Sequence, residues 1–417
     1  MGIDRVHGLA IQPCIRKMTS TPVRRACRAA LATLVLAWIA GAGAQAQRHE
    51  HAKGLARPAR VELGSSAAFA PDGALYAVSK DGQHVLLHRS PDDGASWDVP
   101  IVVNADPEAI SAEGENRPKL AFAPDGGVLV SWTRPLARRF TGEIRLARSD
   151  DGRRFDAPLT VHRDRQQITH RFETMAITGQ GQVVVAWVDK RDLEKALSEK
   201  RDYRGAAIYA ALSDDGGRSF RPEVKVGDHS CECCRIAIAN DTDGLPLILW
   251  RHVFEPNERD HALVKLGADG APGSIERATF DRWRVDACPH HGPSLAVAPD
   301  GTRHAVWFNE RDGEGRVFYG RLKNGRVEAQ RTVGGERAAH ADIALAGERI
   351  AIAWKEFDGA RTRLRAEVSS DGGAQFLSRE LAMTDGASDQ PRVLKRGEEL
   401  LVFWRTEKEG MKGYWLR

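Results

Sequence analysis

Net charge is what this chain most lacks. Its 61 basic and 57 acidic residues fall to 55 and 56 once the six and one in the first 46 residues are set aside. So balanced a chain has no electrostatic footing on nucleic acid. Long apolar runs are missing after residue 46, which excludes a membrane-spanning helix from that stretch. Tyrosine is rare, with five in 417 residues, and cysteine nearly so, with six. Beyond residue 46 the cysteines are Cys231, Cys233, Cys234 and Cys288, which confines any disulfide or thiolate chemistry to one stretch.

The first 46 residues read as a signal peptide. Arg16, Lys17, Arg24, Arg25 and Arg28 precede the apolar run AALATLVLAWIA, and small residues end at Ala44-Gln45-Ala46. Met18 is an alternative start that gives a leader of ordinary length. Residues 47–58 are then a flexible N-terminus, and 59–417 form a single domain of a periplasmic or secreted monomer.

A repeat dominates the rest. It reads SAAFAPDGALYAVS from Ser66, RPKLAFAPDGGVLVSW from Arg117 and RFETMAITGQGQVVVAW from Arg171. It continues as RIAIANDTDGLPLILW from Arg235, GPSLAVAPDGTRHAVW from Gly292, ADIALAGERIAIAW from Ala341 and PRVLKRGEELLVFW from Pro391. Alternating apolar residues between Gly/Asp turns predict paired strands, and the period suits propeller blades. A third strand follows in most units, then a second turn: SPDDGASW from Ser90, SDDGRRF from Ser149, SDDGGRSF from Ser213 and SSDGGAQF from Ser369. The expected fold is all-β, a propeller of four-stranded blades. Seven blades are favoured over six, with a strand at Arg60 and the residues VEL supplying the last blade's fourth strand. The charged stretch from Asp189 to Gly205 reads as a surface insertion with a short helix.

The second turn resembles the Asp-box of sialidase-like propellers, Ser-x-Asp-x-Gly-x-x-Trp/Phe. The resemblance implies a glycosidase fold, with three arginines clamping a carboxylate, a Tyr nucleophile paired to a Glu, and an Asp acid/base. Sialidases depart from the usual carboxylate nucleophile. Arginines suited to the clamp are present, but Tyr76, Tyr209, Tyr319 and Tyr414 fall in predicted strands and Tyr203 in the insertion. No tyrosine stands opposite a glutamate at a blade start, so the standard sialidase machinery does not carry over.

Unusual residues gather just before the innermost strands, in segments a propeller brings to one channel mouth. Arg117, His170, Arg171, Arg235, His340 and Arg392 are candidate ligand contacts. Glu173, Asp342 and Asp389 are candidate acids or bases, or partners of those arginines. Cys231, Cys233, Cys234, Cys288, His290 and His291 form the sharpest cluster. They suit a disulfide between adjacent blades, a copper or zinc ion, or a redox pair. The expected partner is a small molecule, a glycan or a metal. A divergent sialidase or other glycoside hydrolase, and a non-catalytic interaction scaffold, are the competing functions.

Overall fold

The period-2 pattern becomes strands almost throughout. The computed structural model describes residues 61–417 apart from Cys288 and Asp312. The leader, residues 47–58 and Cys288 therefore lie outside the described residues.

Seven antiparallel groups of strands follow in chain order. The first is Ser66–Phe69, Leu75–Asp81, His84–Ser90 and Ile101–Val102. The second is Lys119–Phe122, Val128–Pro135, Gly142–Ser149 and Leu159–Thr160. His170–Ile177, Val183–Asp189, Ala206–Ser213 and Val224–Ser230 make the third, and Ala237–Asn240, Pro246–Phe254, Glu258–Lys265 and Glu276–Arg277 the fourth. A bridge between Ser230 and His252 joins these two groups. The fifth is Ser294–Val297, Arg303–Arg311, Glu314–Lys323 and Arg326–Val333; the sixth is Ala338–Ala346, Arg349–Phe357, Thr362–Ser369 and Leu377–Thr384. The seventh has three strands, Arg392–Arg396, Glu399–Thr406 and Gly410–Trp415. The insertion carries the helix Arg191–Ser198, as its sequence suggested.

The first strand of each group lies beside the first strands of its two neighbours, and that of the seventh lies beside that of the first. Apolar clusters fill the spaces between groups. One joins the first and second groups through Val78, Leu87, Val130 and Trp132. Another joins the seventh and first through Ala77, Leu401, Phe403, Phe69 and Trp415. The tryptophan ending each later repeat sits in these layers, and Trp132, Trp187, Trp250, Trp307, Trp354 and Trp404 are each at most 2 % exposed. A buried indole usually finds an acceptor for its N–H. Trp132 donates to Glu108 at 2.7 Å, Trp307 to Asp281 at 2.8 Å and Trp404 to the Asp389 carbonyl at 3.0 Å. Space is required too: a Cβ on Gly227 would lie 2.9 Å from the Trp250 ring.

The expected N-terminal strand does not form in the described part of that stretch. Residues 61–65 carry no strand, and their hydrogen bonds explain why. Gly64 N–H donates to the Ala112 carbonyl at 2.9 Å, and Ser65 N–H and Oγ donate to the Asp389 carboxylate at 2.9 Å each. The segment is thus spent on the loops before the second and seventh groups. The first and seventh groups are joined instead by the first Ser-x-Asp turn. Trp97 donates to the Met411 carbonyl at 2.9 Å, and Arg396 pairs with Asp93 at 2.6 Å.

Candidate functional site

The loops at the two ends of the inner strands differ in kind. At one end lie the hairpin turns and the Ser-x-Asp turns. Asp215 accepts from Ser219 N–H at 2.8 Å, and Ser213 Oγ accepts from Gly217 N–H at 2.8 Å. Asp92, Asp151 and Asp371 act in the same way within their own turns. Each turn's aromatic then packs back: Phe155, Phe220 and Phe376 lie against the layer facing the preceding group. A cleft of about 240 Å³ at this end is lined by Asn240, Asp241, Thr242, Pro299 and Lys395. Its carboxylate, Asp241, is already paired with Lys265 at 2.9 Å.

The lead-in segments meet at the other end. The turn at Gly114, with φ of 54°, swings Glu115 and Arg117 inward. Arg117 is fully buried and donates to Asp389 at 2.7 Å, Gln390 at 2.6 Å and the Ser65 carbonyl at 2.9 Å. Glu115, also buried, lies 3.6 Å from Arg235, 3.8 Å from Arg392 and 3.7 Å from His340. Burial works to raise its carboxyl. The charges of Arg235 and Arg392 and the contact with His340 outweigh burial and hold it well below the usual carboxylate range.

Arg235 is anchored by donation to the carbonyls of Pro293 and Ala341 at 2.9 and 2.8 Å. Gly292 is fixed by this arginine, because a Cβ there would lie 2.3 Å from that of Arg235. Asp342 accepts from Ser294 Oγ at 2.8 Å and Val393 N–H at 2.9 Å, with Arg392 at 3.4 Å. His340 sits at a β-bulge between Ala339 and Asp342 with φ of 55°, which aims its ring inward. There it meets Gln390 at 2.9 Å and stacks on His291 at 4.2 Å. Arg171 pairs with Glu113 at 2.7 Å. The side chains of Arg171 and Arg392 are each 13 % exposed and that of His340 18 %, so these form the rim.

Glu173 accepts from Thr133 Oγ1 at 2.7 Å, while its other oxygen is buried with no hydrogen-bond partner. Burial raises the Glu173 carboxyl and lowers the Lys119 ammonium nearby.

Of the sequence candidates, Arg117, Arg235, His340, Asp342, Asp389 and Arg392 share one contact network. His170 lies elsewhere, stacked on His162 at 3.9 Å and accepted by the Gly142 carbonyl at 3.1 Å. The Cys/His cluster divides. The sulfurs of Cys231, Cys233 and Cys234 lie within 4.8 Å of one another, and no histidine joins that group among the described residues. His291 faces Phe308 and His340, and His290 is exposed. These three sulfurs are not linked to one another by disulfides, and pairing with Cys288 lies outside the described residues. Sequence reasoning passed over Lys119, Gln390 and Ser65, and also Arg259, which lies 3.7 Å from Cys231 Sγ. Arg259 occupies a strand outside the lead-in segments, where no motif marks it.

No protein-family model matches the chain, and no curated protein matches it. Solved structures do match in fold. A protein of unknown function from Dyadobacter fermentans superposes with a TM-score of 0.53 at 14% identity, covering 75% of this chain and 96% of that one. A polysaccharide lyase, the PL25 ulvan lyase bound to a GlcA(1-4)Rha3S repeat, gives 0.54 at 11% identity over 85% and 94%. The GH93 α-L-arabinofuranosidase of Fusarium graminearum with arabinobiose gives 0.52 at 12% identity over 74% and 92%. The chain thus has the fold of propeller-type proteins, several of which act on glycans.

Proposed function

We propose that the chain is an exported, seven-bladed β-propeller that binds a carboxylate-bearing carbohydrate at its lead-in mouth. Seven strand groups, with an apolar layer between the seventh and the first, support that blade number and a ring closed without a strand from residues 61–65. The basic, then apolar, then small-residue pattern of residues 16–46 supports export. The observation that carries the reading is the convergence of Arg235, Arg392 and His340 on Glu115. Glu115, Asp342 and Asp389 hold the arginines in place before any ligand arrives. Arg171, Arg392 and His340, at the rim, then face the ligand. A guanidinium there pairs with a sugar carboxylate through two parallel hydrogen bonds. The glucuronate repeat bound by the ulvan lyase belongs to that ligand class.

Calorimetric titration with a uronate oligosaccharide and its carboxyl-reduced counterpart tests this. The uronate form is expected to bind about tenfold more tightly or better. Arg392→Ala is expected to abolish the difference. Equal binding of the two sugars, or binding of neither, overturns the proposal.

Glu173 favours a second, catalytic reading. A carboxyl pushed up by burial beside a lysine pushed down to about 7 is an acid and base matched for proton transfer. Asp342 and Asp389 are instead committed to structural partners. Release of reducing ends from a uronate polymer, lost in Glu173→Gln with ligand binding retained, is the outcome this reading expects.

A further inference from the structure

The cysteine cluster immediately precedes Arg235 in the chain and is distinct from the ion pairs of Glu115 with Arg235, Arg392 and His340. We propose that Cys231, Cys233 and Cys234 form a binding site for one thiophilic d10 cation, Cu(I) or Zn(II). This site goes beyond the carbohydrate reading and does not depend on it.

Geometry carries the assignment. Cys231 Sγ lies 3.5 Å from Cys234 Sγ and 3.9 Å from Cys233 Sγ. A disulfide requires about 2.05 Å. Ligands about 2.3 Å from a tetrahedral metal stand roughly 3.8 Å apart, so the observed spacing is that of thiolates around a shared ion. All three cysteines are at most 5 % exposed, within the apolar layer between the third and fourth groups. The backbone holds the cluster in shape, with Cys231 N–H donating to the Arg251 carbonyl at 2.8 Å.

Charge and softness agree. Three sulfur donors, with no carboxylate in the group among the described residues, select Cu(I) or Zn(II) over hard cations. The Arg259 guanidinium, 3.7 Å from Cys231 Sγ, offsets part of the negative charge that three thiolates bring. On binding, each ligating thiol passes its proton to solvent as its sulfur bonds the metal.

The test uses the full chain purified after export, with metal content read by native mass spectrometry and elemental analysis. Two further arms add Zn(II) in air and Cu(I) under anaerobic conditions against a chromogenic chelator. One equivalent of either cation is expected, with protons released on binding. Cys231→Ser and Cys234→Ser are expected to weaken it by at least the roughly 100-fold seen when an outer-shell partner is lost. Glu232→Gln, which removes a half-buried carboxylate that lies between the ligands in sequence and pairs with Lys190, is expected to leave affinity unchanged. Co(II) added to the unsubstituted chain gives thiolate charge-transfer absorption in the near ultraviolet if the site forms, independent of any variant's folding. Absence of that absorption, or cysteines that resist alkylation until reduced with neither cation bound, overturns the proposal.

Discussion

Asp215 and Asp389 are both carboxylates in loops at strand ends, yet they are satisfied in opposite ways. Asp215 closes on its own turn, accepting from a residue four positions away. Asp389 accepts from Arg117, 272 positions away, and from Ser65, 324 positions away. In the turn face the carboxylate of each Ser-x-Asp motif closes on its own turn, a local solution repeated along the chain, and long-range contacts such as Asp93 with Arg396 are added beside it. The lead-in face is one shared solution that exists only when distant groups come together. A local turn can be copied from blade to blade without consequence, whereas the mouth is assembled once, which is where a specific ligand site can be placed.

Substitutions separate the two faces. Arg117→Ala leaves Asp389 buried without its cation, and breaking such a pair costs about 3–5 kcal/mol. Denaturant unfolding of Arg117→Ala, Asp389→Ala and the double variant is expected to show strong non-additivity. A loss below about 1 kcal/mol would place the mouth with the separable turns.

Gly413 tests the seam between the first and seventh groups. A Cβ there would lie 2.1 Å from the Asp93 carbonyl oxygen, which is backbone and cannot swing aside. Gly413→Ala is expected to lower stability by about 1–3 kcal/mol, read by the same unfolding curves. A neutral result would mean that the two groups do not meet as described.

Asp215→Ala in the turn face removes hydrogen bonds on an exposed loop. About 1 kcal/mol is expected, with ligand affinity unchanged. A change in affinity would undo the division between faces.

The last contrast is silent at neutral pH. Burial lowers His291, beside the mouth, to about 2, and His304, near the turn end, to about 4. Both folded values lie below the unfolded 6.5, so between them the unfolded chain binds more protons. Stability is therefore complete near pH 7 and falls as pH drops below about 6.5. The His304 contribution is exhausted by about pH 4, while that of His291 keeps falling. The pH dependence of thermal melts from pH 7 to 3.5 is expected to flatten in His291→Gln and His304→Gln relative to the unsubstituted protein.

Much of this was legible in the sequence because it is periodic. The repeat ending at Trp132, Trp187, Trp250, Trp307, Trp354 and Trp404 marks the second strand of six groups, and the Ser-x-Asp turns fall where their spacing placed them. The lead-in arginines were legible as a class, since they break an otherwise plain pattern. Their pairing was not: nothing local tells Arg117 to choose Asp389, or Glu115 to stand among Arg235, Arg392 and His340. The stretch at 60–63 read as a strand by its alternation, but tertiary hydrogen bonds to Ala112 and Asp389 claim residues 64 and 65 instead. The separation of His291 from the cysteines was equally hidden, because it depends on stacking with Phe308 and His340.

Hydrogen exchange with and without a uronate oligosaccharide tests the central claim most directly, because it reads both faces in one experiment. Protection confined to residues 113–119, 170–173, 338–342 and 388–393 is the predicted result. Protection at the turns around 123–127 and 213–219, with the lead-in segments unchanged, would contradict it.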